Sequence, residues 1–142
     1  MINNMPPLKP GDFVVPLATL SAQSASVSCA LSIAFTLWRV NSPWSGVLLG
    51  LVAGAVTGGI LGRVIGRSTF PASSGQALVV PAGRAALPFT LRASLISSAL
   101  AGAALNFAVA LLFDAQLLPV VLTALCFATI VGLIFGFGAA LL

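Results

Sequence analysis

Glycine stands at every fourth position from Gly46 through Gly50, Gly54, Gly58 and Gly62 to Gly66, in a run otherwise made chiefly of Val, Leu, Ile and Ala. In water such a segment is a poor helix, because each interior glycine costs about 1 kcal/mol relative to alanine. A bilayer reverses the argument. The backbone there has no water to bond to, so an apolar run of this length closes its own hydrogen bonds as a helix. Lacking a side chain, each glycine then lets a neighbouring helix approach until backbone meets backbone. A step of four residues advances about 400° at about 3.6 residues per turn, so the stripe drifts about 40° per step around the helix. One straight neighbour cannot cover it, which predicts a right-handed crossing or a different partner at each end.

The rest of the composition points the same way. Of 142 residues, 59% are hydrophobic and 6% charged, where a soluble domain carries about 25% charged residues. Mean hydropathy is +1.15. The reading is an all-α integral membrane protein. Histidine is absent, which removes the commonest metal ligand and general base, and no cofactor is expected. The net charge of +4 reads as a topology signal rather than a nucleic-acid footprint, so nucleic acid is not an expected partner.

Residues 1–19 are polar and proline-bearing and read as a retained interfacial segment, with Gly11 to Pro16 a short extended piece ended by its proline. A first hairpin occupies 20–67. Its first helix runs from Leu20 to Val40 and closes on Trp38 and Arg39, side chains suited to a water interface. Its second runs from Trp44 to Gly66, with Ser42 as cap and Pro43 in the first turn. Residues 68–91 hold Pro71, Pro81 and Pro88 and read as an interfacial loop with one short turn of helix. A second hairpin, 92–142, places helices at Arg92 to Phe113 and Gln116 to Leu142, with Asp114 as the cap between them. Four spans put Lys9, Arg63, Arg67, Arg84 and Arg92 on one side and Arg39 on the other. The positive-inside rule then makes both termini cytoplasmic, in a bacterial inner membrane or an organelle membrane.

A shift of about 70 residues superposes the small-residue stripes. Ser24, Ser28, Ser32 and Thr36 fall on Ser94, Ser98, Gly102 and Asn106, while Gly54, Gly58, Gly62 and Gly66 fall on Ala124, Ala128, Gly132 and Gly136. Val-Val-Pro precedes each helix pair, at Val14 to Pro16 and Val79 to Pro81, under a shift of 65. This pattern reads as an internal repeat whose halves point the same way, two tandem hairpins in a four-helix bundle.

Asn106 is the one amide well inside a span, and an unpaired amide in hydrocarbon is costly. It should bond across to Ser28, Ser32 or Thr36, and together with Ser94 and Ser98 these residues read either as inter-helix glue or as a polar path for a small solute. The only carboxylates, Asp12 and Asp114, lie outside the spans, which argues against proton- or sodium-coupled transport. Arg63, Arg67, Arg84 and Arg92 are candidate contacts for lipid head groups. Cys29 and Cys126 fall mid-span and read as packing residues. No nucleophile triad, phosphate loop or dinucleotide fingerprint is present.

Glycine-zippered helices also occur in the proteolipid rings of rotary ATP synthases, but that family carries a mid-membrane carboxylate and this chain has none. The run Ala53-Gly54-Ala55-Val56-Thr57-Gly58-Gly59 resembles part of the small four-span translocases of mitochondrial inner membranes. That resemblance covers one helix of four and assigns no family. The expectation is a non-enzymatic protein that works by helix packing, as a self-assembling or accessory subunit of a membrane complex, with Gly46 to Gly66, Ala124, Ala128, Gly132 and Gly136 as contact faces. Its expected partners are membrane lipids and itself or other membrane subunits; the alternative is a small channel or facilitator for an uncharged or weakly polar solute.

Overall fold

The computed structural model describes residues 14–69, 79–81 and 83–141. Most of the expected N-terminal segment, with Lys9 and Asp12, and residues 70–78 of the long loop lie outside the described residues. The order of elements is strand β1 (Val14–Pro16), helix α1 (Leu17–Arg39), helix α2 (Trp44–Thr69), strand β2 (Val79–Pro81), a 3₁₀ turn (Arg84–Ala86), helix α3 (Leu87–Leu112) and helix α4 (Leu117–Leu141). Four helices are long and apolar enough to cross a membrane.

The helix ends follow from local chemistry and correct several expected boundaries. Helix α3 begins five residues before Arg92, because Pro88 occupies its first turn, where a missing N–H leaves no bond unmade. A proline that reads as loop therefore starts a helix. Helix α1 stops where Asn41 turns left-handed at φ 60, with the Ser42 N–H donating to the Leu37 carbonyl at 3.1 Å. Helix α3 stops in the same way at Asp114, φ 55, with the Ala115 N–H donating to Ala110 at 2.9 Å. These six-to-one bonds are Schellman closures, and Asn and Asp tolerate the left-handed turn better than other non-glycine residues. Asp114 thus ends α3 instead of capping α4, and Pro43, not Ser42, stands directly ahead of α2.

The packing inverts that of a soluble domain. The largest fully buried side chains are Leu17, Asn106, Thr90 and Cys29 followed by serines, whereas Trp44, Leu49, Leu112 and Leu118 are exposed. Large apolar residues point outward and small or polar ones inward, as lipid solvation dictates, since hydrocarbon tails solvate leucine as well as a protein core does. Gly54 faces Cys29 and Ala30, Gly58 faces Cys29 and Ala25, Gly62 faces Ala25 and Ser21, and Gly66 faces Ser21 and Ala18. As α2 ascends its partners descend, so α1 and α2 are antiparallel. Gly132 faces Leu95 and Gly136 faces Leu91, which sets α4 antiparallel to α3.

At one end the two Val-Val-Pro segments meet as an antiparallel pair, Val14 opposite Pro81 and Val15 opposite Val80. Beside them Leu17, Leu20, Ala86 and Ala93 form a buried apolar cluster under Phe89 and Phe135. Gly83 lies at φ 139 and its N–H donates to the Ala140 carbonyl at 2.8 Å, tying the connection to the last turn of α4. That backbone region is nearly closed to residues with a Cβ. Gly83→Ala is expected to lower stability by about 1–3 kcal/mol, read as a fall in melting temperature in mild detergent, although the space around it is open.

Candidate functional site: a hydroxyl seam between α1 and α3

Buried polar residues of α1 and α3 converge on one line. Ser24 donates to the Ser94 carbonyl at 2.9 Å and its hydroxyl also pairs with that of Ser98. Further along, the Asn106 side-chain N–H₂ donates to Ser32 Oγ at 2.9 Å and to the Gly102 carbonyl at 2.8 Å. Thr36 Oγ1 donates to Asn106 Oδ1 at 3.3 Å and to its own turn at the Ser32 carbonyl, 2.9 Å. Residue numbers rise together on the two helices, so α1 and α3 run parallel and face each other along this seam.

The seam continues past α3 to α4. Ser94 donates to the Gly132 carbonyl at 2.7 Å, and Thr90 donates to the Gly136 carbonyl at 2.8 Å. The glycines of α4 bring its backbone near enough to accept these bonds, which a side chain at either position would obstruct. Ser24, Ser28, Ser32, Ser94, Ser98 and Asn106 are fully buried and Thr36 nearly so. Each polar bond here replaces an unpaired group in hydrocarbon, although measured inter-helix bonds in membranes average about 0.6 kcal/mol.

Ser28 breaks the pattern. Its hydroxyl is buried without a hydrogen-bond partner. It faces Gly102, where a Cβ would lie 3.8 Å from Ser28 Oγ. Asn106 therefore reaches two of its three expected partners, Ser32 and Thr36, and not Ser28.

Of the other residues singled out, Gly54, Gly58, Gly62 and Gly66 are buried against α1, while Gly46 and Gly50 at the start of α2 are half-buried. Ala124, Ala128, Gly132 and Gly136 are buried on α4. From Gly50 to Gly66 the α2 stripe is thus taken up against α1 inside one molecule, and Gly132 and Gly136 of α4 against α3, while Gly46 meets only the neighbouring Pro43 and Ser42. Arg63 and Arg67 are exposed near the end of α2, and Arg84 and Arg92 are exposed around the start of α3. Cys29 is buried beneath Gly58, but Cys126 faces outward, because two residues from Ala124 and from Ala128 it falls about 200° round the helix, opposite the buried stripe. Thr90 and Ser97 are fully buried seam residues that the sequence reading did not single out. Thr90 continues the four-residue step back from Ser94, a signal hidden by placing it in the loop. Among the described residues no group of three His, Cys, Asp or Glu side chains could hold a metal ion.

A seam of hydroxyls inside four bilayer-length helices defines a class, the helical membrane proteins packed through small and polar faces. Comparison with protein-family models, curated proteins and solved structures finds no match.

Proposed function

We propose that this chain is a non-enzymatic, four-span packing protein, an accessory or self-assembling subunit of a membrane complex. The observation that carries the reading is the seam: buried polar side chains of α1 and α3 bond one helix to the other, Asn106 with Ser32 and Thr36, and Ser24 with Ser94. Among the described residues, Ser28 is the one buried side-chain polar group left without a partner. Because the glycine stripes close the monomer, partner contact falls to the outward faces of α2 and α4, which carry Val52, Val56, Ile60, Ile130 and Ile134.

The unit is read as two tandem hairpins derived by duplication. Gly62 on Ala25 and Gly132 on Leu95 repeat one register at an offset of 70 residues, as do Gly66 on Ser21 and Gly136 on Leu91. Both termini lie on the cytoplasmic side in this reading, because Arg63, Arg67, Arg84 and Arg92 gather at one end and Arg39 stands at the other. Native mass spectrometry and cross-linking from the native membrane test the assembly. Oligomers or a reproducible co-purifying subunit are expected; a clean monomer without partner overturns it.

The unpartnered Ser28 hydroxyl favours a second reading, a facilitator for a small uncharged or weakly polar solute moving along the seam. Liposome flux abolished by Asn106→Leu would select it over the packing reading.

A further inference from the structure

Two recesses open sideways on the bundle near the end that holds Arg63 and Arg67. One, of about 760 Å³, lies between α1 and α2 and is lined by Gln23, Ser26, Gly59, Arg63, Arg67 and, from α4, Phe135. The other, of about 300 Å³, lies between α1 and α4 and shares Gln23 and Phe135 with the first, with Gly138 in its wall. We propose that the pair binds one anionic phospholipid, its phosphate held by Arg63 and Arg67 and its two acyl chains laid one in each recess, astride Gln23 and Phe135.

The glycines carry the first part of the argument. A Cβ on Gly54, Gly58, Gly62 or Gly66 would come within 2.5–3.0 Å of α1, so those glycines serve contact between helices. Gly59 and Gly138 do not. A Cβ on Gly59 would meet its nearest atom, Ser26 Cβ, at 3.6 Å, and one on Gly138 would meet nothing within 4 Å. These two leave space on the surface of the bundle rather than closing it. The Ser26 hydroxyl is turned away into α2, donating to the Ala55 carbonyl at 2.8 Å, which leaves the groove wall apolar there.

Charge and depth supply the second part. Arg63 and Arg67 stand one turn apart, and the only carboxylate among the described residues, Asp114, is at the opposite end of the bundle. A helix of 26 residues is about 39 Å long against a hydrocarbon core of about 30 Å. Arg67 lies about 3 Å and Arg63 about 9 Å from the end of α2, the first at head-group level and the second just below, where its stem lets it reach up. A guanidinium fork matches two phosphate oxygens at once. A second copy of the chain fits less well, because none of its spans brings a carboxylate to the pair.

The experiment uses the full chain in mild detergent and in nanodiscs, with retained lipid counted by native mass spectrometry after equilibration with phosphatidylglycerol or phosphatidylcholine. Wild type is expected to retain one phosphatidylglycerol preferentially. The double variant Arg63→Gln/Arg67→Gln should lose that preference by about 30-fold, about fivefold for each guanidinium, and Arg39→Gln at the other end should keep it. Gly59→Leu should reduce retention of both lipids, with an unchanged melting temperature showing that the fold survives. Undiminished preference in the double variant, full retention in Gly59→Leu, or a cross-link from a second copy seated in the groove would each overturn the proposal. The binding is measured on the monomer, so failure of the assembly reading leaves it standing, and the reverse also holds.

Discussion

Gly62→Ala is expected to destabilise the protein by about 1–3 kcal/mol, the range for overpacking a filled interior, though it adds only a methyl group. An added Cβ would lie 2.5 Å from both the Ala25 Cβ and the Ser21 carbonyl oxygen, with the α-carbon of Ala22 at 3.1 Å. Two of these three atoms belong to the backbone of α1, so relief requires the helices to separate rather than a side chain to rotate. Separation withdraws α2 from the groove between Ser21 and Ala25 over several turns, because Gly58 and Gly66 are held as closely. Gly138→Ala is the matched control. Its added Cβ meets nothing within 4 Å, so in a helix the substitution should leave stability unchanged or raise it by up to about 1 kcal/mol. The comparison is read as the shift in midpoint of denaturant unfolding in mixed micelles, and equal shifts for the two variants would refute the close-approach account.

Asn106→Asp is expected to cost about 2.5–3.5 kcal/mol at neutral pH, the penalty for a carboxylate at the centre of a membrane helix. The substitution keeps the shape of the side chain but removes the amino group that donates to Ser32 Oγ and to the Gly102 carbonyl. Asn106→Leu should cost less, about 0.6–1.7 kcal/mol. Thr36 retains its bond to the Ser32 carbonyl and Ser32 its bond to Cys29, so neither hydroxyl is stranded when the amide goes. The ordering is the test: Asp worse than Leu marks a dry seam, and Asp no worse than Leu marks one that water reaches.

Much of this architecture is legible in the sequence because the membrane simplifies the problem. Span length and the cations at the ends place four helices, and the four-residue steps of Gly54 to Gly66 and of Ser24 to Thr36 pick out faces that are buried. What the steps do not carry is the identity of the neighbour. A glycine stripe built to meet another molecule and one built to meet its own hairpin look alike in a linear sequence, since both need only the missing side chain. The groove beside Gln23 was likewise invisible, because it depends on Phe135 arriving from more than 100 residues away. Pro88 and Asp114 misled for a local reason. Each residue type suits two positions at a helix end, and only the backbone geometry chooses between them.

Ser24 and the carbonyl it bonds are separated by 70 residues. Ribosomes supply that length in roughly 4–14 s at about 5–20 residues per second, so α1 is made seconds before the part of α3 that it bonds. A row of carboxamides could not wait in lipid fully satisfied, since the carbonyl one turn back, which Asn106 also uses at Gly102, takes only one of the two N–H donors. Hydroxyls can, because a serine or threonine borrows the carbonyl one turn back, as Thr36 and Ser97 still do in the finished bundle. The amide, by contrast, sits on α3 and is translated after the helix that receives it. For Asn106, whose partners Ser32 and Thr36 lie on the earlier helix, the receiving hydroxyls are therefore already made when the amide arrives.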